Sequence, residues 1–267
     1  MNCLNIVVFY DNYQEVAKYM KECLLNSSNV DIAVVVNSDK EKKVNELLND
    51  ISEHRSRIKL YDFGKNVGYL NSLLKIIKNE NIENYKYYIL SNTDIKYETS
   101  LFYEKLVKKT YDPDVGCIAP SVYSINTDTF ANPHYKTRTS KNKLRMLSFI
   151  FSFPLIGRLY LKMSDIKSRN RNSKAEEESC YVYSPHGCFM IFTKDFIRCV
   201  KGYIYGTTLY SEEACVGELL LKNEKTCYFD KTLRVHHLES TVTGKIDYKK
   251  RFKYWKDSID YILKEFY

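Results

Sequence analysis

Short apolar runs recur along the first 120 residues. They are LNIVVF from Leu4, IAVVV from Ile32, IKLYDF from Ile58, YYILSN from Tyr87 and VGCIAP from Val115, with starts 26 to 29 residues apart. Between them lie stretches with helical spacing, such as Val16, Met20, Cys23 and Leu24, and later Leu70, Leu73, Leu74 and Ile77. Strand, helix and strand at this interval predict βαβ units around a mostly parallel sheet, an α/β fold flanked by helices. The runs are almost continuously apolar, as strands covered on both faces must be. A sheet of this kind binds ligands beyond the C-terminal ends of its strands. Those positions are polar here: Asp11 and Asn12, Asn37 to Asp39, Asn66 and Gly68, and Asn92 and Asp94. Each alone is an ordinary turn residue. Four groups at one sheet edge point to a site.

The pattern changes between 136 and 174. Eleven Lys or Arg stand there against one acid, Asp165, so this stretch carries +10 of a net +8 and the remainder sums to −2. The basicity is local, which argues against nucleic acid as the partner of the whole chain. The run Leu147–Ile156 sits between Lys141, Lys143 and Arg145 on one side and Arg158 and Lys162 on the other. It reads either as a core helix or as a basic amphipathic element resting on an anionic membrane surface. A polar loop is expected from Asp165 to Ser179. Folded structure then resumes with a strand at GCFMIFT (187–193), a helix over Tyr210–Asn223, short strands at Thr226–Phe229 and Leu233–His237, and a terminal helix over Lys245–Phe266. Phe252, Trp255, Ile259 and Ile262 form one stripe of that last helix, which reads as packing.

Composition narrows the class. With 267 residues, 44% hydrophobic and 28% charged, the chain can bury a sizeable core and is not disordered. The division expected is a single domain over 1–267. Its nucleotide-binding half is 1–120 and its acceptor half is 121–240, carrying the basic insertion 136–179; a C-terminal helix occupies 241–267. No two of the eight cysteines have C-x-x-C spacing, and the N-terminus lacks a basic leader, so reduced thiols and a cytoplasmic location are expected. No apolar run is long enough to span a bilayer.

Three segments carry candidate chemistry. In Ser91–Asn92–Thr93–Asp94, a carboxylate and a neighbouring amide oxygen at a strand tip suit a hard divalent cation that also bridges phosphates. In Tyr210–Ser211–Glu212–Glu213, two acids open a helix. The helix dipole favours them there, and one of an adjacent buried pair can serve as a general base. In Val235–His236–His237–Leu238–Glu239, strand alternation turns His237 and Glu239 one way and His236 the other. His237 is either a satisfied core histidine or a metal ligand.

In chain order the pieces are FYDN at 9–12, VVVNSD at 34–39, NVGYLNS at 66–72, SNTD at 91–94, PHGCF at 185–189, LYSEE at 209–213 and RVHHLES at 234–240. Together they resemble glycosyltransferase family 2 enzymes with the GT-A fold, and among them the rhamnosyltransferase-like members that build bacterial surface polysaccharides. The resemblance covers roughly residues 1–240 and implies a role for each position. Asp11, Asn37 and Asp39 would surround the nucleobase and ribose, and Asn66 and Gly68 the diphosphate. Asn92 would stand with the nucleotide, in place of the first acid of the family's Asp-x-Asp element. Asp94 and His237 would hold Mg²⁺ or Mn²⁺. Glu213 would be the catalytic base with Glu212 beside it, and His186 and Gly187 would form the acceptor-side turn. The implied activity is inverting transfer of a sugar from a dTDP- or UDP-sugar, dTDP-rhamnose among them, to a hydroxyl of a lipid-linked or oligosaccharide acceptor. The amides at 37 and 92 keep a second reading open, a nucleotide-sugar-binding or assembly subunit without catalysis. A nucleotide-sugar pyrophosphorylase would need a Gly-rich basic loop after the first strand, where this chain has Tyr10–Asp11–Asn12–Tyr13.

Overall fold

The computed structural model describes residues 2–10, 12–37, 52–169, 175–239 and 247–267. Among the described residues ten strands form a single sheet: β1 (Asn2–Phe9), β2 (Val30–Val36), β3 (Ile58–Asp62), β4 (Tyr85–Ser91), β5 (Ile95–Tyr97), β6 (Val115–Ser124), β7 (Thr129–Phe130), β8 (Cys180–Val182), β9 (Phe189–Thr193) and β10 (Thr226–His237). Eight α-helices are seen among the described residues: α1 (Tyr13–Asn26), α2 (Tyr69–Asn79), α3 (Phe102–Lys108), α4 (Lys141–Phe151), α5 (Pro154–Arg169), α6 (Lys194–Val200), α7 (Glu212–Lys222) and α8 (Tyr248–Phe266).

The strand order is β3-β2-β1-β4-β9-β6-β10-β5. β3, β2, β1 and β4 are parallel, as the repeating runs predict. β9 then enters antiparallel to both β4 and β6, so the fifth apolar run does not lie beside the fourth. β10 returns parallel to β6, and β5 closes the edge antiparallel to β10. The sheet is therefore parallel in its first half and mixed in its second, the α/β arrangement of a GT-A fold.

Both faces are covered. One packs Leu4, Ile6, Leu73 and Ile77 with Phe192, Leu219, Phe252 and Ile262. The other packs Val7, Phe9, Val16, Met20, Phe102 and Leu106. In α8, Phe252, Ile259 and Ile262 are buried and Trp255 half-buried, so that stripe is core. All eight cysteines are unpaired thiols.

One polar residue interrupts β1 and is fully buried: Asn5. Its amide donates to the hydroxyls of Tyr19 at 2.8 Å and Tyr103 at 2.9 Å, and lies 3.3 Å from that of Tyr97. The Tyr97 hydroxyl in turn is 2.7 Å from that of Tyr19 and 2.6 Å from that of Tyr103. Tyr19 also reaches Ser91 Oγ at 2.8 Å, and Ser91 donates to the carbonyl of Asn92 at 2.7 Å. Burial holds all three phenols well above their ordinary pKa, so they remain neutral donors. This network ties the middle of β1 to the tip of β4. A core that encloses several hydroxyls must satisfy them together, since each orphan costs about 1–3 kcal/mol.

Three local expectations are corrected. The run Leu147–Ile156 is not one element: Pro154 opens α5, and its ring disfavours helical backbone at Phe153, so α4 ends first. The helix then continues to Arg169, into the segment expected to be loop from Asp165. The two short strands at 226–229 and 233–237 are one strand, β10, whose pairing with β6 shifts between Asp230 and Arg234. Lys231, Thr232 and Leu233 have no counterpart between Pro120 and Ser121, a bulge in β10, and the polar Asp230–Lys231–Thr232 looked like a break in the apolar pattern.

Candidate active site

Asp94 lies just past the tip of β4, and His237 closes β10. The two strands are separated in the sheet by β9 and β6. The turn after β4 brings them together: the backbone N–H of Leu238 donates to the Asp94 carbonyl at 2.9 Å, and His237 Nε2 is 3.3 Å from Asp94 Oδ1. Both side chains are largely buried. Among the described residues no group of three or more His, Cys, Asp or Glu side chains is arranged to hold a metal ion. Asp94 and His237 thus form a pair, one carboxylate oxygen and one imidazole nitrogen. That donor set suits a borderline divalent cation whose other positions are filled by a ligand's oxygens.

The turn before β9 is the bridge to the acids. The His186 ring is 6.0 Å from that of His237 and 5.1 Å from that of His134. The Cys188 N–H donates to His186 Nδ1 at 3.2 Å, which leaves any hydrogen on Nε2. Burial first, then the neighbouring His134 and His237, push the His186 pKa down to about 3, so it is a neutral imidazole. Gly187 sits against Glu213. A methyl group built on Gly187 would lie 2.5 Å from Glu213 Oε1, so a side chain there would displace this carboxylate.

Glu212 and Glu213 open α7 after two residues in left-handed backbone, Tyr210 (φ 69°) and Ser211 (φ 59°). Non-glycine residues pay for that conformation, and it turns the first helical side chains toward Gly187. Glu212 is buried, and burial and then the charge of Glu213 raise its pKa to about 8. At neutral pH Glu212 keeps its proton. The unfolded chain would release that proton near 4.5 and the folded one near 8, so stability falls as pH rises between those values. Glu212→Gln is expected to flatten this slope, about 1.4 kcal/mol per pH unit for one proton. Urea unfolding at pH 5, 6, 7 and 8 reads it, and an unchanged slope would remove the assignment.

The other positions form the rim. Asn37 is buried and its side-chain oxygen accepts from the Val67 N–H at 3.1 Å. Asn66 accepts from the Gly68 N–H at 2.9 Å. Gly68 (φ +83°) passes so close to Thr208 that a Cβ would lie 2.5 Å from its carbonyl oxygen. The close approach that needs glycine here is thus to this chain's own backbone. Asn92 is half-buried and its N–H donates to the Cys188 carbonyl at 2.8 Å. Asp11 and Asp39 lie outside the described residues.

Three residues near the site carry no signal that sequence reasoning used. Asn71 accepts from the Tyr205 N–H at 3.0 Å and donates to the Tyr205 carbonyl at 2.8 Å, clasping the 205–208 loop to α2. The Tyr69 hydroxyl is shut off from solvent among Cys188, Glu212 and Asp94. His134 is brought in by Asn132, which donates to the Pro120 carbonyl and accepts from the His186 N–H. Asn71 and Tyr69 lie within NVGYLNS, where a polar residue on the apolar face of a helix was the available hint.

The strand order, the helices on both faces and the strand-tip pair describe a GT-A glycosyltransferase-like fold. Glycosyl transferase family 2 matches residues 6–191, more than half of the chain, and the chain belongs to that family. No curated protein matches it. Among solved structures, the mannosyltransferase PcManGT from Pyrobaculum calidifontis in complex with GDP-Man and Mn²⁺ aligns with a TM-score of 0.58 at 9% identity, covering 90% of this chain and 58% of that one. GalNAc-T7 with UDP, GalNAc and Mn²⁺ aligns with a TM-score of 0.61 at 10% identity, covering 98% and 48%. A mycobacterial protein aligns at 0.55 and 9%, covering 99% and 74%. This chain therefore spans about half the length of the first two, and at these identities the likeness is one of fold.

Proposed function

We propose that this chain is an inverting, cation-dependent glycosyltransferase that moves a sugar from a nucleoside-diphosphate donor to a hydroxyl of a saccharide or lipid-linked acceptor. The observation that carries the reading is the convergence of Asp94, His237 and Glu213 around the His186–Gly187 turn. The titles of two structural neighbours name a nucleotide or nucleotide sugar together with Mn²⁺, which supports the same ligand class here. The resemblance to rhamnosyltransferase-like members supports a dTDP- or UDP-sugar as donor, dTDP-rhamnose among the candidates.

Glu213 takes the proton of the acceptor hydroxyl, and that oxygen attacks the anomeric carbon from the side opposite the diphosphate. The bond to the diphosphate oxygen breaks, and the nucleoside diphosphate leaves with the electron pair. Asp94 and His237 would hold Mg²⁺ or Mn²⁺, which supplies charge neutralisation for the leaving diphosphate. Glu212, kept neutral, adds no second charge beside the base. His186, neutral and with its Nδ1 occupied, presents only a donor hydrogen to this region. The test is a thermal-shift screen of UDP-, dTDP- and GDP-sugars with Mg²⁺ or Mn²⁺. Binding stabilises by mass action, so the donor should raise Tm in the presence of cation. Nucleoside diphosphate release from that donor with an acceptor mixture then reports transfer. If no nucleotide sugar shifts Tm, the reading fails.

The same reading places the enzyme on the inner face of the plasma membrane through α4 and α5. Leu144 and Phe151 anchor the pair, and the Phe151 ring stacks 5.7 Å from that of Phe252. The outer side stays apolar in solvent: Phe149 is 62% exposed, Leu155 81%, Leu159 61% and Met163 63%. Lys143, Arg145, Arg158 and Lys162 are exposed around them. Apolar side chains framed by cations fit an anionic leaflet, each cation adding ~1 kcal/mol. No helix among the described residues is long and apolar enough to cross a membrane. Co-sedimentation with phosphatidylglycerol vesicles is expected at low salt, to fall steeply with ionic strength, and to be lost in Leu155→Asp/Leu159→Asp. Vesicle binding indifferent to salt and to those substitutions would count against the membrane role.

A further inference from the structure

A pocket of about 300 Å³ is lined by Tyr123, Phe130, Arg234 and His236, on the opposite face of β10 from His237. Its wall is aromatic: the Tyr123 ring is 5.3 Å from Phe130 and 5.7 Å from His236, both nearly edge-on. Its polar side is Arg234, clamped by Glu176 through Nε at 3.1 Å and Nη2 at 2.5 Å, with Glu98 at 3.6 Å from Nη1. Two carboxylates outweigh one guanidinium, so the pocket repels phosphate and other anions. What remains is a lining of aromatic rings, which can pack against C–H groups, and carboxylates, which can accept from hydroxyls. A neutral sugar ring offers both surfaces, and the volume falls within the range of small-ligand sites.

The pocket is joined to the active site at two points. His236, in its wall, precedes His237. Phe130 precedes His134 by four residues, a reach of at most about 14 Å, and the His134 ring contacts that of His186 at 5.1 Å. Tyr123 shares a sheet face with Cys117 and Ala119 by strand alternation, and that is the face on which α7 packs. The pocket therefore lies on the sheet face that α7 covers, while His237 turns toward Asp94.

We infer that this pocket is a saccharide-binding subsite for the acceptor, holding a neutral sugar unit one or more residues removed from the hydroxyl that reacts. Its role as acceptor subsite rests on the transferase reading; its affinity for sugar does not. The test uses neither donor nor cation. Saturation-transfer NMR is run on the full chain with the methyl glycosides of glucose, galactose, N-acetylglucosamine and rhamnose, and with inorganic phosphate as competitor. At least one glycoside should receive saturation, and Phe130→Ala should cut it at least five-fold. Phe130→Trp, which keeps a ring face, should restore it, and phosphate should not compete. Signals absent for all four glycosides, unchanged in both Phe130→Ala and Tyr123→Ala, or displaced by phosphate would each overturn the inference. Transfer activity with no glycoside contact here would remove the pocket and leave the transferase. Glycoside binding without transfer from any nucleotide sugar would do the reverse.

Discussion

Glu213→Gln is expected to lower sugar transfer by about 10²–10⁴-fold, the contribution of a general base, while nucleotide affinity stays near that of the native chain. The substitution changes no volume, so the fit against Gly187 is kept and the α7 N-terminus is undisturbed. What is lost is the ability to accept a proton. Glu212 is a poor replacement: it is buried, and burial, the larger cause of its raised pKa, persists when the Glu213 charge is removed. Glu212→Gln should for the same reason leave far more activity than Glu213→Gln. Rates of nucleoside diphosphate release and a calorimetric nucleotide titration separate chemistry from binding. Native-like turnover in Glu213→Gln would refute the base assignment.

Asp94→Ala is expected to abolish the part of nucleotide affinity that depends on cation. Loss of a group that merely supports a metal ligand costs 10–100-fold in metal affinity or activity, and loss of a ligand should cost at least about that. The effect should be visible without turnover: titration of the nucleoside diphosphate with Mn²⁺ and with EDTA should give two different affinities in the native chain and a single, weaker one in Asp94→Ala. His237→Ala should fall between them, because its imidazole reaches the same place from β10 but offers one nitrogen beside the Asp94 carboxylate. An affinity that EDTA does not change in the native chain would remove the cation from the mechanism.

The first half of the fold was readable because burial on both faces makes a parallel strand almost continuously apolar, as in β1, β2, β4 and β6; β3, at the sheet edge, is mostly half-buried and was read from its spacing. The place of β9 was not readable. An apolar run states that a strand is buried, but neither which neighbours it takes nor in which direction it runs. The Pro154 break was present in the sequence, yet an apolar run spanning it reads as continuous when hydrophobicity alone is followed. At the site, Glu213, Asp94 and His237 stood out as chemistry-bearing residues at element ends. Asn37 and Asn66 stood out equally, but in the structure their side-chain oxygens accept from the backbone of the 66–68 turn. Asn5 was visible as an interruption of β1, but its partners lie 14, 92 and 98 residues away. No local pattern encodes that convergence.

The seat of β9 bears on how the chain is made. During synthesis β4 emerges about a hundred residues before the strand that seals its open side, and β6 waits with it. Until residue 193 leaves the ribosome, the first half of the sheet presents an unpaired strand margin, the kind of surface on which nascent chains stick to one another. Truncated products ending near 120 should accordingly be found with chaperones or in inclusion bodies, and maturation of this protein should be late and all at once rather than half by half.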